Sequence, residues 1–140
     1  MISITTVDMP LKKTHHAMVK KCVNAVIQNI KKEITIATCS DKYILEMNKQ
    51  SLNHDYYTDI ITYHYENTAE KIEAELLISL ERIEENANTN NVPFENELAR
   101  IIIHGCLHLI GFDDKTTKLK TEMTQQEDKY LKLIIDEANK

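Results

Sequence analysis

The chain has 140 residues and a formal net charge of −5, with 42% hydrophobic and 28% charged residues, a composition typical of one globular domain with its own core. No apolar run approaches the roughly 20 residues that cross a bilayer, and the N-terminus lacks the basic start and apolar block of a signal peptide. The three cysteines have no pairing spacing, which favours a reducing compartment. We therefore expect a single cytoplasmic domain over residues 1–140 that does not associate with membranes.

The pattern of apolar residues predicts the element order β-α-β-α-β-β-α-α-α. In chain order, the predicted elements are a strand at 2–7, a helix at 16–30, a strand at 34–39, a helix to about residue 52 capped by Ser40 or Asp41, strands at 60–63 and 75–78, a helix from Ser79 to about 88, a helix at 94–109 and a last helix from about Thr117. This order predicts an α+β or irregular α/β fold, with a small mixed four-stranded sheet flanked by about five helices.

The charge is unevenly distributed along the chain. Residues 1–50 contain eight lysines and four acidic residues, whereas residues 51–140 contain nine basic and eighteen acidic residues. A local basic surface can attract a polyanion even when the total charge is negative. A solvated lysine-rich face would give the same count, so the charge pattern alone leaves both interpretations open.

Two histidines, His104 and His108, stand four residues apart in the predicted helix 94–109, so both rings face the same side. Gly111 follows three residues later, where a helix can end in a left-handed turn. Such a turn would bring Asp114 back toward the histidines. Two nitrogens and one carboxylate oxygen form the three-ligand arrangement of a catalytic zinc site, whose fourth position stays open for water.

Each part of this motif has a competing explanation. Histidines at this spacing also occur in core helices, where they bond to the backbone, and Asp114 can cap the last helix. Asp113 competes as the third ligand or as an acceptor for an imidazole N–H. Gly105 occupies the position at which H-E-x-x-H zinc peptidases carry their glutamate base. Because that base is absent, the motif argues against a peptidase.

The stretch from His104 to Asp114 resembles the signature H-G-x-L-H-L-x-G-Y-D-H of the YbeY family of bacterial rRNA-maturation endoribonucleases. Phe112 replaces the tyrosine, and the matching residues are His104, Gly105, Leu107, His108, Leu109, Gly111 and Asp113. Weaker similarities agree in order with the family: Leu52 and Asn53 with L-N, residues 58–63 with T-D-V-L-S-F, residues 75–79 with part of G-D-I-x-I-S, and Met123 with Glu127 with M-x-x-x-E. The resemblance covers about residues 50–130.

The chain departs from the family pattern at three places. Asp114 stands where the family has its third histidine ligand, so zinc binding should persist at a less positive site. The segment at 53–58 is shorter than in the family and lacks its arginine. Ala74 and Glu75 replace the G-D pair. Because the arginine is missing, the sequence also allows the alternative of a protein that binds a metal ion but has lost its catalytic activity.

The resemblance implies a zinc-dependent, single-strand-specific endoribonuclease that acts in 16S rRNA 3′-end maturation and ribosome quality control, with the ribosome or its small subunit as partner. The alternatives are a non-catalytic metal-binding ribosome-assembly factor and a metal-dependent hydrolase of another substrate. We expect one zinc ion per chain, held by His104, His108 and Asp114, with zinc-bound water as the catalytic group. Asp113 would orient this water or an imidazole, and the 2′-OH of RNA remains an alternative nucleophile.

Single-stranded RNA would then approach over the basic half of the chain. The lysines predicted to contact phosphates are Lys12, Lys13, Lys20, Lys21 and Lys31. Tyr56, Tyr57 or Tyr63 could stack on unpaired bases, and His54 and His64 are spare imidazoles that could donate a proton.

Overall fold

Four strands form one mixed sheet in the computed structural model, which describes residues 1–52 and 58–138. The strands are β1 (Ile2–Thr6), β2 (Lys31–Cys39), β3 (Ile60–Asn67) and β4 (Lys71–Ser79). Their spatial order is β1-β2-β4-β3. β1 and β4 run parallel to β2, while β3 pairs antiparallel with β4 and forms one edge of the sheet.

Five helices accompany the sheet in the described residues, together with a short 3₁₀ turn at Lys13–His15. They are α1 (His16–Val26), α2 (Asp41–Leu52), α3 (Leu80–Asn90), α4 (Phe94–Leu109) and α5 (Thr117–Ala138). The predicted order of elements and the α+β class are confirmed. None of the described helices is long and apolar enough to cross a membrane.

The helices cover the two faces of the sheet unequally. Alternate residues of a strand point to opposite faces, so Ile36 and Leu76 enter a large core with α1, α3, α4 and α5. Ala37 and Leu77, their neighbours in sequence, enter a smaller core with Ile44 of α2 on the other face. Helix α4 packs against α1, α3 and α5 as well as the sheet. Because α4 packs against so many elements, the part of the helix that carries both histidines is held in place.

Gly105 allows α4 to approach the sheet closely. A Cβ at this position would lie 2.8 Å from Ile60 Cδ1 and 3.2 Å from both terminal methyl carbons of Leu76. The absence of a side chain therefore serves the packing of the helix on β3 and β4. Cys106, the next residue, is fully buried in the same core.

Several element ends differ from the sequence-based prediction. α1 ends at Val26 instead of residue 30, because Asn29 adopts a left-handed φ of 60° and β2 already begins at Lys31. β4 begins at Lys71 instead of residue 75, since Lys71 pairs with Lys31 in the ladder. Residues 71–75 do alternate between polar and apolar side chains, a signal that the prediction did not use, whereas β2 extends through backbone pairing into the wholly polar residues 31–33.

Candidate metal centre

The end of α4 brings the third candidate ligand back to the histidines. The helix ends at Leu109, and Gly111 adopts a φ of 108°, which confirms the predicted left-handed turn. The N–H of Phe112 donates to the carbonyl of Leu107 at 3.0 Å, so the chain reverses tightly. Asp114 follows this reversal and returns to the face of α4 that carries the imidazoles.

Three acceptor atoms converge at this face. His104 Nε2 lies 3.1 Å from His108 Nε2, and Asp114 Oδ2 lies 3.7 Å from the first and 3.8 Å from the second. Tetrahedral zinc with bonds of about 2.0–2.2 Å spaces its ligand atoms by about 3.3–3.6 Å. The two imidazoles and one carboxylate therefore match a zinc ion in both spacing and ligand chemistry.

The other nitrogen of each imidazole is held by a hydrogen-bond acceptor. His104 Nδ1 donates to Glu127 Oε2 at 2.7 Å, and His108 Nδ1 donates to the Phe112 carbonyl at 3.1 Å. Because a carbonyl and a carboxylate can only accept, the proton of each neutral ring lies on Nδ1. Both Nε2 atoms therefore direct a lone pair toward Asp114, as metal-bound histidines do.

The surroundings shift the two histidine pKa values in opposite directions. Burial lowers the pKa of His104, but the hydrogen bond and charge of Glu127, with the charges of Asp114 and Asp59, outweigh it and leave that pKa raised. Burial and the neighbouring charge of His104 lower the pKa of His108. The site without an ion therefore accepts a proton first at His104, and a bound cation would replace that proton.

Glu127 and Arg100 support the centre, and the sequence analysis assigned no role to either. Arg100 Nη1 lies 3.3 Å from Glu127 Oε1, whose other oxygen holds His104. The side chain of Glu127 is only 11% exposed. The M-x-x-x-E resemblance had marked Glu127. The ion pair between Arg100 of α4 and Glu127 of α5 left no signal in the sequence.

Asp59 lies beside the centre at the start of β3. It forms part of the walls of two depressions, one on each side of His104. Burial raises the pKa of its carboxyl. Asp113 Oδ1 accepts the N–H of Asp114 at 2.6 Å. Asp113 therefore orders the loop that presents the third ligand.

The residues predicted to contact RNA lie in different parts of the molecule. Lys20 and Lys31 line a depression at the start of β1 and β2, whereas Lys12 lines one at the start of α3 and α4. Lys13 and Lys21 are exposed on the surface. His64 lines the metal depression, and Tyr63 packs against the smaller core. His54, Tyr56 and Tyr57 lie outside the described residues.

An α+β scaffold on which two imidazoles and one carboxylate converge, a set that could hold a metal ion, fits a metal-dependent hydrolase. Comparison with known proteins specifies which one. The sequence model of the family described as endoribonuclease YbeY matches residues 2–134. The chain therefore belongs to the endoribonuclease YbeY family, and the match extends beyond the part on which the resemblance was first based.

Individual relatives agree with this assignment. A protein named endoribonuclease YbeY from Bacteroides fragilis is 43% identical over 126 residues, which cover 89% of this chain and 90% of that protein. One of the same name from Cytophaga hutchinsonii is 46% identical over 101 residues, covering 72% and 71%. The solution structure of TM1509 from Thermotoga maritima superposes with a TM-score of 0.66 at 27% identity, covering 99% of this chain and 92% of that one.

Proposed function

We propose that this chain is an endoribonuclease that hydrolyses RNA phosphodiester bonds with one metal ion held by His104, His108 and Asp114. The observation that carries this proposal is the convergence of two imidazole nitrogens and one carboxylate oxygen within 3.8 Å of one another. Family membership supplies the reaction, since the matching relatives are named as endoribonucleases.

The ion that best suits these ligands is zinc, because two imidazoles and a carboxylate are ligands it commonly takes. When bound, it would act as a Lewis acid toward the phosphate and lower the pKa of a water molecule toward about 7. The chain's own groups keep both imidazoles in the metal-binding tautomer through Glu127 and the Phe112 carbonyl. Asp59, whose carboxyl pKa is raised by burial, lines the depression that the substrate would enter.

The substrate that fits best is single-stranded RNA, with the 3′ end of precursor 16S rRNA as the proposed physiological target. The metal depression is an open hollow of about 820 Å³, so it admits an extended strand from the surface. We also propose that residues 1–140 act as one cytoplasmic domain and that the protein meets its substrate on the ribosome or its small subunit.

A cleavage assay with the zinc-loaded protein tests the proposal. Protein purified without a histidine tag should contain close to one zinc ion per chain by elemental analysis. It should cleave single-stranded RNA and leave a duplex of the same sequence intact, while His108→Ala should lose both the metal and the cleavage.

Two results would overturn this proposal. Stoichiometric zinc without cleavage of any RNA, together with retained ribosome association, would favour a non-catalytic assembly factor. Undiminished cleavage by His108→Ala would show that the activity comes from another nuclease in the sample.

A further inference from the structure

Three depressions follow one another from the edge strand β3 to the end of the sheet at which β1, β2 and β4 begin. The first contains the metal ligands. The second lies between the end of α1, the β3–β4 turn and the α4–α5 turn, and it shares Gly111 with the first. The third lies beside the starts of β1 and β2 and shares Ile30 with the second. A continuous surface therefore leads from the metal centre to the lysine-rich part of the chain.

Each of the three depressions contains at least one lysine, although the first also contains the carboxylates of the metal centre. Lys115 lies in the first depression, Lys129 in the second, and the third contains Lys20, Lys31 and Lys32. Within residues 1–52 and 58–138, none of these five lysines forms an ion pair within 4.0 Å. Beyond the metal centre the acidic wall residue is Glu33, whose carboxylate lies 3.7 Å from the N-terminal ammonium. The surface is therefore complementary to a polyanion.

The middle depression also offers groups that suit unpaired bases. The ring of Tyr130 is partly exposed there, and Lys129 Nζ lies 5.1 Å from its centroid. Ile110, on the opposite wall, is 39% exposed. Asn67 Nδ2 donates to the Leu109 carbonyl at 2.9 Å, which ties the β3–β4 turn to the end of α4. An aromatic ring beside a cation is the combination on which single-stranded nucleic acids stack.

We propose that single-stranded RNA binds along this surface, from the metal centre across Gly111 and Tyr130 to Lys20 and Lys31. This inference rests on the proposed endoribonuclease function and adds the path of the strand on one side of the scissile bond. It also separates the lysines of the basic half into those that lie on the proposed RNA path and those that lie away from it. Lys12 shares its depression with Glu81, Glu84 and Glu95, an acidic setting that repels phosphates.

Charge reversal at matched pairs of lysines tests the path. Lys20→Glu with Lys31→Glu alters the proposed path, and Lys12→Glu with Lys13→Glu makes the same change of charge away from it. Binding of fluorescein-labelled oligouridylates of 20 and 3 nucleotides is measured by anisotropy with the zinc-loaded protein at several salt concentrations. Circular dichroism confirms that each variant is folded.

We expect the first pair to weaken binding of the 20-mer by roughly tenfold or more at low salt, and to reduce the dependence of log Kd on log salt by about 0.7 per lost phosphate contact. The 3-mer, which reaches only the metal centre, should bind both double variants equally. Tyr130→Leu keeps the apolar contact with the core and should weaken 20-mer binding several-fold without changing the salt dependence.

Equal losses for the two lysine pairs, or no loss for either, would overturn the path. A wild-type protein that shows the predicted lysine dependence of binding but cleaves no RNA would instead refute the proposed function. The two failures are therefore distinguishable in one set of experiments.

Discussion

Two polar clusters of this molecule both contain carboxylates but differ in how their hydrogen bonds are matched. The strand-end cluster lies where β2 and β4 end and consists of Asp8, Ser40, Asp41, Ser79 and Arg82. In it, Asp41 accepts from the Ser79 hydroxyl at 2.7 Å and from Arg82 Nη2 at 2.9 Å. Ser79 Oγ accepts the backbone N–H of Arg82 at 3.1 Å and so caps α3. Each of these acceptors faces a donor.

The metal centre lacks this balance. His104 and His108 use their Nδ1 protons on Glu127 and on the Phe112 carbonyl, which leaves two nitrogen lone pairs facing the Asp114 carboxylate. Three acceptors without a donor repel one another unless a cation lies between them. The comparison teaches that a surplus of acceptors, rather than the number of charged residues, distinguishes a binding site from a structural cluster.

The largest effect on zinc affinity should come from removing one of the three acceptor groups of the metal centre. Asp114→Ala should weaken zinc binding by more than about 100-fold, beyond the 10–100-fold typical of losing an outer partner, because one of three ligands is gone. Chelator competition measures this affinity. Asp113→Ala is the matched control and should cost less, since Asp113 orders the loop and is not one of the three converging ligands. The reverse ranking would reassign the third ligand to Asp113.

A smaller loss should follow from weakening the support of His104. Glu127→Gln removes the charge that pairs with Arg100 and holds His104 Nδ1, so zinc affinity should fall by about 10–100-fold. Asp128→Asn is its control, because Asp128 lies at the same 3.3 Å from Arg100 Nη1 but holds no metal ligand. Similar zinc affinities for the two variants, measured by the same competition, would rule out a specific role for Glu127.

The strand-end cluster should respond in stability rather than in metal binding. Ser79→Ala removes the cap of α3 and should lower the free energy of unfolding by about 1–2 kcal/mol in urea. Its zinc affinity should stay at the wild-type value, since the cluster has no lone pair in excess. A change in zinc affinity larger than about threefold would show that the two clusters are coupled.

Local signals in the sequence predicted much of the fold and the convergence of His104, His108 and Asp114. Helix α4 was predicted with the bounds it has, because Pro93 precedes it and Gly111 follows its end. The sequence also predicted the Ser79 cap and the turn that returns Asp114, because each depends on residues only a few positions apart.

What the sequence did not predict depends on contacts between distant segments. The place of β4 between β2 and β3 follows from packing, and no local pattern specifies it. Arg100 meets Glu127 across 27 residues, and Asp59 reaches the metal depression from the edge strand. Asp59 and Glu127 lie in segments that resemble the family, but the sequence does not show which residues they meet.

Gly105 also limits which chemistries this scaffold can acquire. A zinc peptidase of the H-E-x-x-H type needs a glutamate at that position, one residue after its first histidine. Here such a side chain would be driven into Ile60 and Leu76, and its carboxylate would lie in the hydrocarbon between helix and sheet. Because α4 packs so closely on the sheet, this scaffold does not accommodate the catalytic glutamate of a zinc peptidase, although the histidine spacing is the same.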